Sequence, residues 1–446
     1  MFTTSGFFEY LGARDSGRGV ATVRLTRAQQ QARTRAAVLA AARDEFAERG
    51  YVEATVDLIA ERAELTRGAV YSNFPSKRAV YLAVLVDMAE GAAVGETPSS
   101  PGSVGAALGA FARVWLERLP LAGDTPAGGR LQLRSLAGVV DDEPARAALA
   151  QVTQLEALLL GLALEAQRPR RNLTGARRVR LAELVLTLLS GAGQLAETAP
   201  GFGDPFDVAR ACEQLGGIDL QDSWDPPHLP YVAPARPCRE AWVPPADLVD
   251  LLTGHRVQLD RDGVVALLGS GRLGAAEEAV RAAGPGEPVT VVVLTGDPAE
   301  IGRLVRLRLG DLAGCLRRVL GPAPWPGLRI IVDDRSLVAA AVGLADPGDA
   351  TEAAVWVRDG AIVARAEGRG AGHAAAWGRS MTRPASAHAT GADLLALHTL
   401  RCIGFASLER VAAAAGLPEP EVESELIAWP WPGWSRGSRG SSAGGA

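Results

Sequence analysis

Seven prolines fall within residues 218–246, at Pro226, Pro227, Pro230, Pro234, Pro237, Pro244 and Pro245. Proline fixes φ and lacks a backbone N–H, so this density is expected to block both helix and sheet pairing and to leave an extended, semi-rigid connector. The connector divides a 446-residue chain, about three times a typical domain length, into two unlike halves. Before it, from Thr34 to about Gly216, apolar residues recur at spacings of three and four, with breaks at Gly50, Pro75, Pro101 and Pro120, which predicts an all-α half. After it, Val-rich runs (Gly263 to Leu268, Val289 to Leu294, Leu328 to Val332, Ala354 to Val357, Ala361 to Ala364) alternate with helical stretches, an α/β pattern.

With 46 Lys and Arg against 51 Asp and Glu, the net charge is -5, which excludes a generally basic nucleic-acid coat and leaves any nucleic-acid contact local. Cys212, Cys238, Cys315 and Cys402 are too dispersed for a disulfide framework or a metal-ligand pair. No basic leader precedes an apolar run, and no stretch reaches the ~18 charge-free apolar residues of a membrane span, so a cytoplasmic protein with no membrane partner is expected.

In the helical half, Val56, Ile59, Ala60 and Ala63 share one face of a helix that Thr55 can N-cap. Thr66 can cap a second helix after a turn of about three residues, with Leu65 and Val70 placed as a hydrophobic staple and Pro75 as the stop. Two short helices joined this tightly form a helix-turn-helix whose second member can enter a major groove. With Val70 and Phe74 inward, Thr66, Arg67, Gly68, Tyr71 and Asn73 face outward. Arg can pair with guanine and Asn with adenine, Gly68 permits close backbone approach, and Tyr71 can reach a phosphate or a thymine methyl. Ser76 caps a further helix, where Lys77, the only lysine of the chain, and Arg78 are expected to favour a phosphate.

The stretch from Arg33 to Met88 resembles the DNA-binding domain of the TetR/AcrR transcriptional regulators. The resemblance is carried by Phe46, by Glu48-Arg49-Gly50-Tyr51, by Thr55 to Ala63, and by Thr66-Arg67-Gly68-Ala69-Val70-Tyr71-Ser72-Asn73-Phe74-Pro75-Ser76-Lys77. It implies a double-stranded DNA operator, a homodimer and a small-molecule effector, with a larger helical domain following. Where the family usually has Gly in the turn, this chain has Glu64. Leu155 to Leu164, apolar except for Glu156, is expected as a central helix with Leu181 to Leu189 beside it. A pocket would draw on these two together with Phe111, Trp115, Leu131 and Leu136. The run Arg168, Arg170, Arg171, Arg177, Arg178 and Arg180 is expected to be a solvated interhelical loop.

The α/β half admits two readings. Gly269-Ser270-Gly271-Arg272-Leu273-Gly274 spells G-x-G-x-x-G between strand and helix, the context of a dinucleotide site, although the next strand ends in Thr295-Gly296 with Asp297 late. Alternatively, the segment Leu251 to Val257, the strand-helix-strand unit ending in Gly296-Asp297-Pro298-Ala299-Glu300, Ile330 to Asp333, and a hairpin turning at Asp359-Gly360 together resemble the peroxiredoxin/thioredoxin-like fold. In that family a nucleophilic Cys opens the helix after the first core strand; here Ser270 to Gly274 supplies none, and Cys315 is expected to be a buried, inert thiol.

The chain is therefore expected to be multidomain. A basic arm (1–32) precedes a helix-turn-helix DNA-binding domain (33–90) and a helical ligand-binding and dimerisation domain (91–217). A Pro-rich linker (218–246), a thioredoxin-like domain (247–384), a small winged-helix-like segment (385–428) and a disordered tail (429–446) follow. The expected function is a ligand-responsive repressor without catalytic residues, metal or cofactor. The alternative is an enzyme or cofactor sensor on the α/β half, either thiol peroxidase-like or a nicotinamide-binding oxidoreductase.

Overall fold

The computed structural model describes residues 26–91, 101–119, 136, 138–167, 177–284 and 286–382. Most of the basic arm, the winged-helix-like segment and the tail lie outside the described residues. Helix α1 (Arg27–Glu53) starts inside the expected arm, because Thr26 and Gln29 close a capping box there. Its regular part stops at Gly50, whose φ of 74° breaks the helix before Tyr51. The helices α2 (Val56–Arg62), α3 (Arg67–Tyr71) and α4 (Lys77–Gly91) pack Val56, Ile59, Val70, Phe74 and Tyr81 with Phe46 of α1 into one small core.

Four longer helices follow: α5 (Val104–Leu116), α6 (Glu143–Ala166), α7 (Val179–Thr198) and α8 (Pro205–Leu215). Both α6 and α7 are long and apolar enough to cross a membrane by length and composition alone. A core helix passes the same test, and α6 is one: Val152, Leu155, Leu159, Leu160 and Leu164 are buried. The acid within its apolar run, Glu156, is only 1% exposed and accepts from Arg308 Nη2 at 2.6 Å.

The α/β region builds a single six-stranded sheet in the order β1-β6-β5-β2-β3-β4 from β1 (Arg236–Ala241), β2 (Gly263–Gly269), β3 (Val289–Leu294), β4 (Leu328–Val332), β5 (Glu352–Arg358) and β6 (Ala361–Glu367). The strands β2, β3 and β4 are parallel, and the β5–β6 hairpin adds antiparallel to β2. Asp359 (φ 49°) and Gly360 (φ 70°) both take the left-handed backbone that a two-residue primed turn demands, as the Asp-Gly pair predicts. The crossovers are α9 (Ala276–Ala282), α10 (Arg303–Leu320) and α11 (Leu337–Ala341), and α12 (Ala371–Thr382) closes the region.

Alternation along each strand sends side chains to two faces. One face, with Val265, Leu267, Val292, Ile331 and Val355, packs on Trp242, Leu248, Leu259 and Val338. The other, with Val264, Leu268, Val291 and Ile330, belongs to the same buried cluster as Phe111, Trp115, Leu159 and Val185 of the helical region. Trp325 seals this seam by donating from its indole N–H to the Leu159 carbonyl at 2.7 Å. Thus the two halves share a core where separate domains were expected.

The Pro-rich segment departs from its expectation in the same way. Arg236–Ala241 pairs with β6 despite Pro237. This is physically permitted because β1 is an edge strand, where a missing N–H costs no ladder bond on the open side, and the register shifts between Pro237 and Glu240. The preceding residues are strapped across the seam. Arg177 Nη1 donates to Asp222 at 2.5 Å, its Nη2 to Glu277 at 2.6 Å, and its guanidinium lies 5.4 Å from the Trp224 ring. His228 Nε2 lies 2.8 Å from Glu278 Oε1. Arg177, expected in a solvated loop, is therefore a half-buried knot; residues 168–176 lie outside the described ones.

Candidate nucleic-acid interface

The Thr55 hydroxyl accepts from Leu58 N at 3.3 Å and Thr66 from Ala69 N at 3.2 Å, so both short helices start where their caps predict. Helices of seven and five residues are too short to persist alone. Tertiary burial holds them instead, with Ile59, Val70 and Phe74 fully buried. The turn passes through Glu64 at φ 54°, the left-handed region that favours glycine. Its carboxylate is exposed and its backbone is strained, which is the cost of the non-glycine residue there.

The outward face of α3 presents Thr66, Arg67, Gly68 and Tyr71, all exposed. A Cβ on Gly68 would meet only the Thr66 hydroxyl at 3.9 Å, so among the described residues nothing else crowds its backbone. Arg67 Nη1 rests 3.1 Å from Asp57 Oδ2, and both side chains are more than half exposed. Solvent screens an exposed pair of this kind, so a guanine edge or a phosphate can displace Asp57. Tyr71 lies under the Arg67 guanidinium, 5.4 Å from ring centre to Cζ.

Asn73, expected on this face, and Lys77, expected to meet a phosphate where α4 begins, are engaged elsewhere. Asn73 turns its amide back, donating to the Ala69 carbonyl at 2.9 Å and to the Ser72 hydroxyl at 3.2 Å, so it closes the C-terminus of α3. The Lys77 ammonium donates to the carbonyls of Tyr51, Ala54 and Val52 at 2.8, 3.2 and 3.3 Å and lies 4.4 Å from the Tyr51 ring centre. An ammonium has three protons, and three carbonyls where α1 ends take them all. Burial lowers its pKa below the ordinary value. Ser76 does cap α4, accepting from Ala79 N at 3.0 Å.

Arg78, expected with Lys77 to favour a phosphate, is instead taken up within the chain, by partners that sequence reasoning missed. Arg78 binds Asp142, the N-cap of α6, and also Glu300 from the turn preceding α10. Glu300 also accepts from the Ser76 hydroxyl. Phe74, at the end of the recognition segment, lies between the guanidiniums of Arg35 and Arg303, 4.5 and 5.3 Å from its ring centre. No local sequence signal points to these contacts, because Arg78 stands 64 residues from Asp142, and Ser76 and Arg78 stand 224 and 222 residues from Glu300.

The glycine-rich loop is already filled. A Cβ at Gly269 or Gly271 would meet the Asp349 carbonyl oxygen at 2.3 or 2.9 Å, and one at Gly274 would meet Gln154 Oε1 at 2.5 Å. Gly271 N donates to Asp349 O at 2.8 Å and Gly274 N to Gln151 Oε1 at 3.0 Å. A dinucleotide needs that space and those amides, so the glycines serve close packing and the nicotinamide reading loses its site. Cys315 is buried within α10, as expected, and burial pushes the Cys212 thiol up to about 11.

A cavity of about 360 Å³ opens among α5, α6 and α7, lined by Trp115, Leu136, Thr153, Leu189, Gln194 and, from α10, Arg308. Trp115, Leu136 and Leu189 belong to the expected pocket set, whereas Phe111 and most of Leu155 to Leu164 pack in the core. Leu131 lies outside the described residues.

Residues 38–84 match the family model "Bacterial regulatory proteins, tetR family". No curated protein matches the chain. Among solved structures, a protein described as a TetR-family transcriptional regulator, from Mesorhizobium loti, is 17% identical over 43% of this chain and 95% of its own, with a TM-score of 0.20. Residues 38–84 are thus similar to the tetR family of bacterial regulatory proteins, and the same stretch carries a capped helix-turn-helix.

Proposed function

We propose that this chain is a cytoplasmic, homodimeric repressor that a small molecule releases from its operator, with a non-enzymatic, thioredoxin-like α/β region. The observation that carries the reading is the free outer face of α3, where Arg67, Gly68 and Tyr71 stand exposed on a helix fixed at both ends. Arg67→Ala and Tyr71→Ala should each weaken binding to DNA fragments enriched by the wild type from a random pool by about 1–3 kcal/mol, with melting unchanged. Equal retention of those fragments by both variants would remove α3 as the reader.

The effector assignment is supported by the cavity beside Arg308, whose volume suits a small ligand. Dimerisation is supported by α7, on which Leu184, Leu188, Gly191 and Leu195 form one stripe. Leu184 and Leu195 are 39% and 41% exposed, and Phe202 and Phe206 extend the surface. Nothing lies within 4 Å of a Cβ at Gly191, so a second helix could approach closely there. The thioredoxin-like reading is supported by the strand order, three parallel strands flanked by one antiparallel hairpin, and its redox silence by the absence of Cys from Ser270 to Gly274.

A further inference from the structure

The α/β region does more than accompany the DNA-binding domain, because part of it is built into that domain's core. Leu304 and Leu307 of α10 are buried in the same cluster as Phe46, Val70, Phe74 and Tyr81. Arg303 donates to the Ala79 carbonyl in the first turn of α4 at 2.9 Å and covers the Phe74 ring. Glu300, on the π-helical turn Pro298–Gly302 that feeds α10, takes both Ser76 and Arg78. These contacts meet the end of the reading segment and the start of α4 together. Further along α10, Arg308 stands one helical turn beyond Leu304, where it lines the cavity and holds Glu156 of α6.

We propose that α10 is a positioning arm for the recognition helix: it holds α3 and α4 in their DNA-competent arrangement, and a shift of the arm at Arg308 is passed to them. The inference deepens the DNA-regulator reading and rests on it only for its affinity arm. A rigid helix whose opposite contacts lie on two different bodies transmits displacement between them, and here the bodies are the cavity wall and the DNA-binding core.

The test uses the full chain in two variants. Glu300→Gln combined with Arg303→Met weakens the clamp directly, whereas Arg308→Met touches no residue of the DNA-binding domain. Hydrogen exchange of residues 66–85 should quicken at least tenfold in the first and at least threefold in the second, with residues 352–358 unchanged in both. Affinity for the DNA enriched by the wild type should fall at least tenfold in the first. Should either variant fail to fold, Ser76→Ala and Arg308→Lys, which are milder at the same two places, should quicken exchange in the same segment at least twofold. Unchanged exchange in residues 66–85 on clamp weakening would overturn the proposal, as would exchange that responds to the clamp but not to Arg308, or tighter DNA binding. A wild type that enriches no DNA but shows the exchange response would count against the DNA-regulator reading and leave the arm standing.

Discussion

At Lys77 a single ammonium gathers the last carbonyls of a broken helix end, and its weight is therefore structural. Lys77→Met should cost about 1–3 kcal/mol in urea unfolding, since carbonyls are left without their donor. The salt dependence of DNA binding should keep its slope, whereas a phosphate contact would flatten it by about one unit. The sequence marked Lys77 as special but not for what, because Gly50, which turns the chain toward the ammonium, acts through tertiary geometry. Glu156 and Arg177 carry the same lesson. A lone charge in an apolar run and a cation in an Arg-rich run look like blemish and solvated loop, until partners 45 to 152 residues away bury them.

Caps and turns were legible at the element scale because their determinants are local. Thr55, Thr66, Ser76 and the Asp359-Gly360 turn all do what residue type and spacing require. The G-x-G-x-x-G loop was not legible, since the same glycines suit a pyrophosphate or a crossing backbone, and distant Asp349, Gln151 and Gln154 decide between them. Asp349 Oδ1 accepts from the Ser270 hydroxyl at 2.7 Å and from Gly296 N at 3.1 Å. Burial alone would raise its pKa, but these donors and the Thr295 hydroxyl outweigh burial and hold it below its ordinary value of 3.8. A carboxylate so depressed contributes stability above its unfolded value and loses it as pH falls through the folded one. The melting temperature of the wild type should therefore fall as pH drops below about 4, and Asp349→Asn should show a shallower fall over that window in a pH series of thermal scans.

For the whole molecule, the two fold classes were readable from the periods of their apolar residues, yet the relation between the halves was not. Periodicity tells which face of an element is buried and is silent about what buries it. The Val264, Val291 and Ile330 face meets helices from the other half of the chain, and Pro237 sits in a strand because only an edge tolerates it. The outward stripe of α7 is the surface left over from that shared core. Leu195→Glu places a charge on it and should convert the proposed dimer to monomer in sedimentation equilibrium without lowering the unfolding free energy of the protomer by more than about 0.5 kcal/mol. A protein whose two fold classes share a buried cluster is also expected not to divide at its most obvious seam. If the gene were cut within the Pro-rich strap and the pieces produced as two polypeptides, neither would own enough of the common interior to stand alone. Each would serve as the other's folding template, and the covalent join between them would matter chiefly for keeping the pair at equal dose.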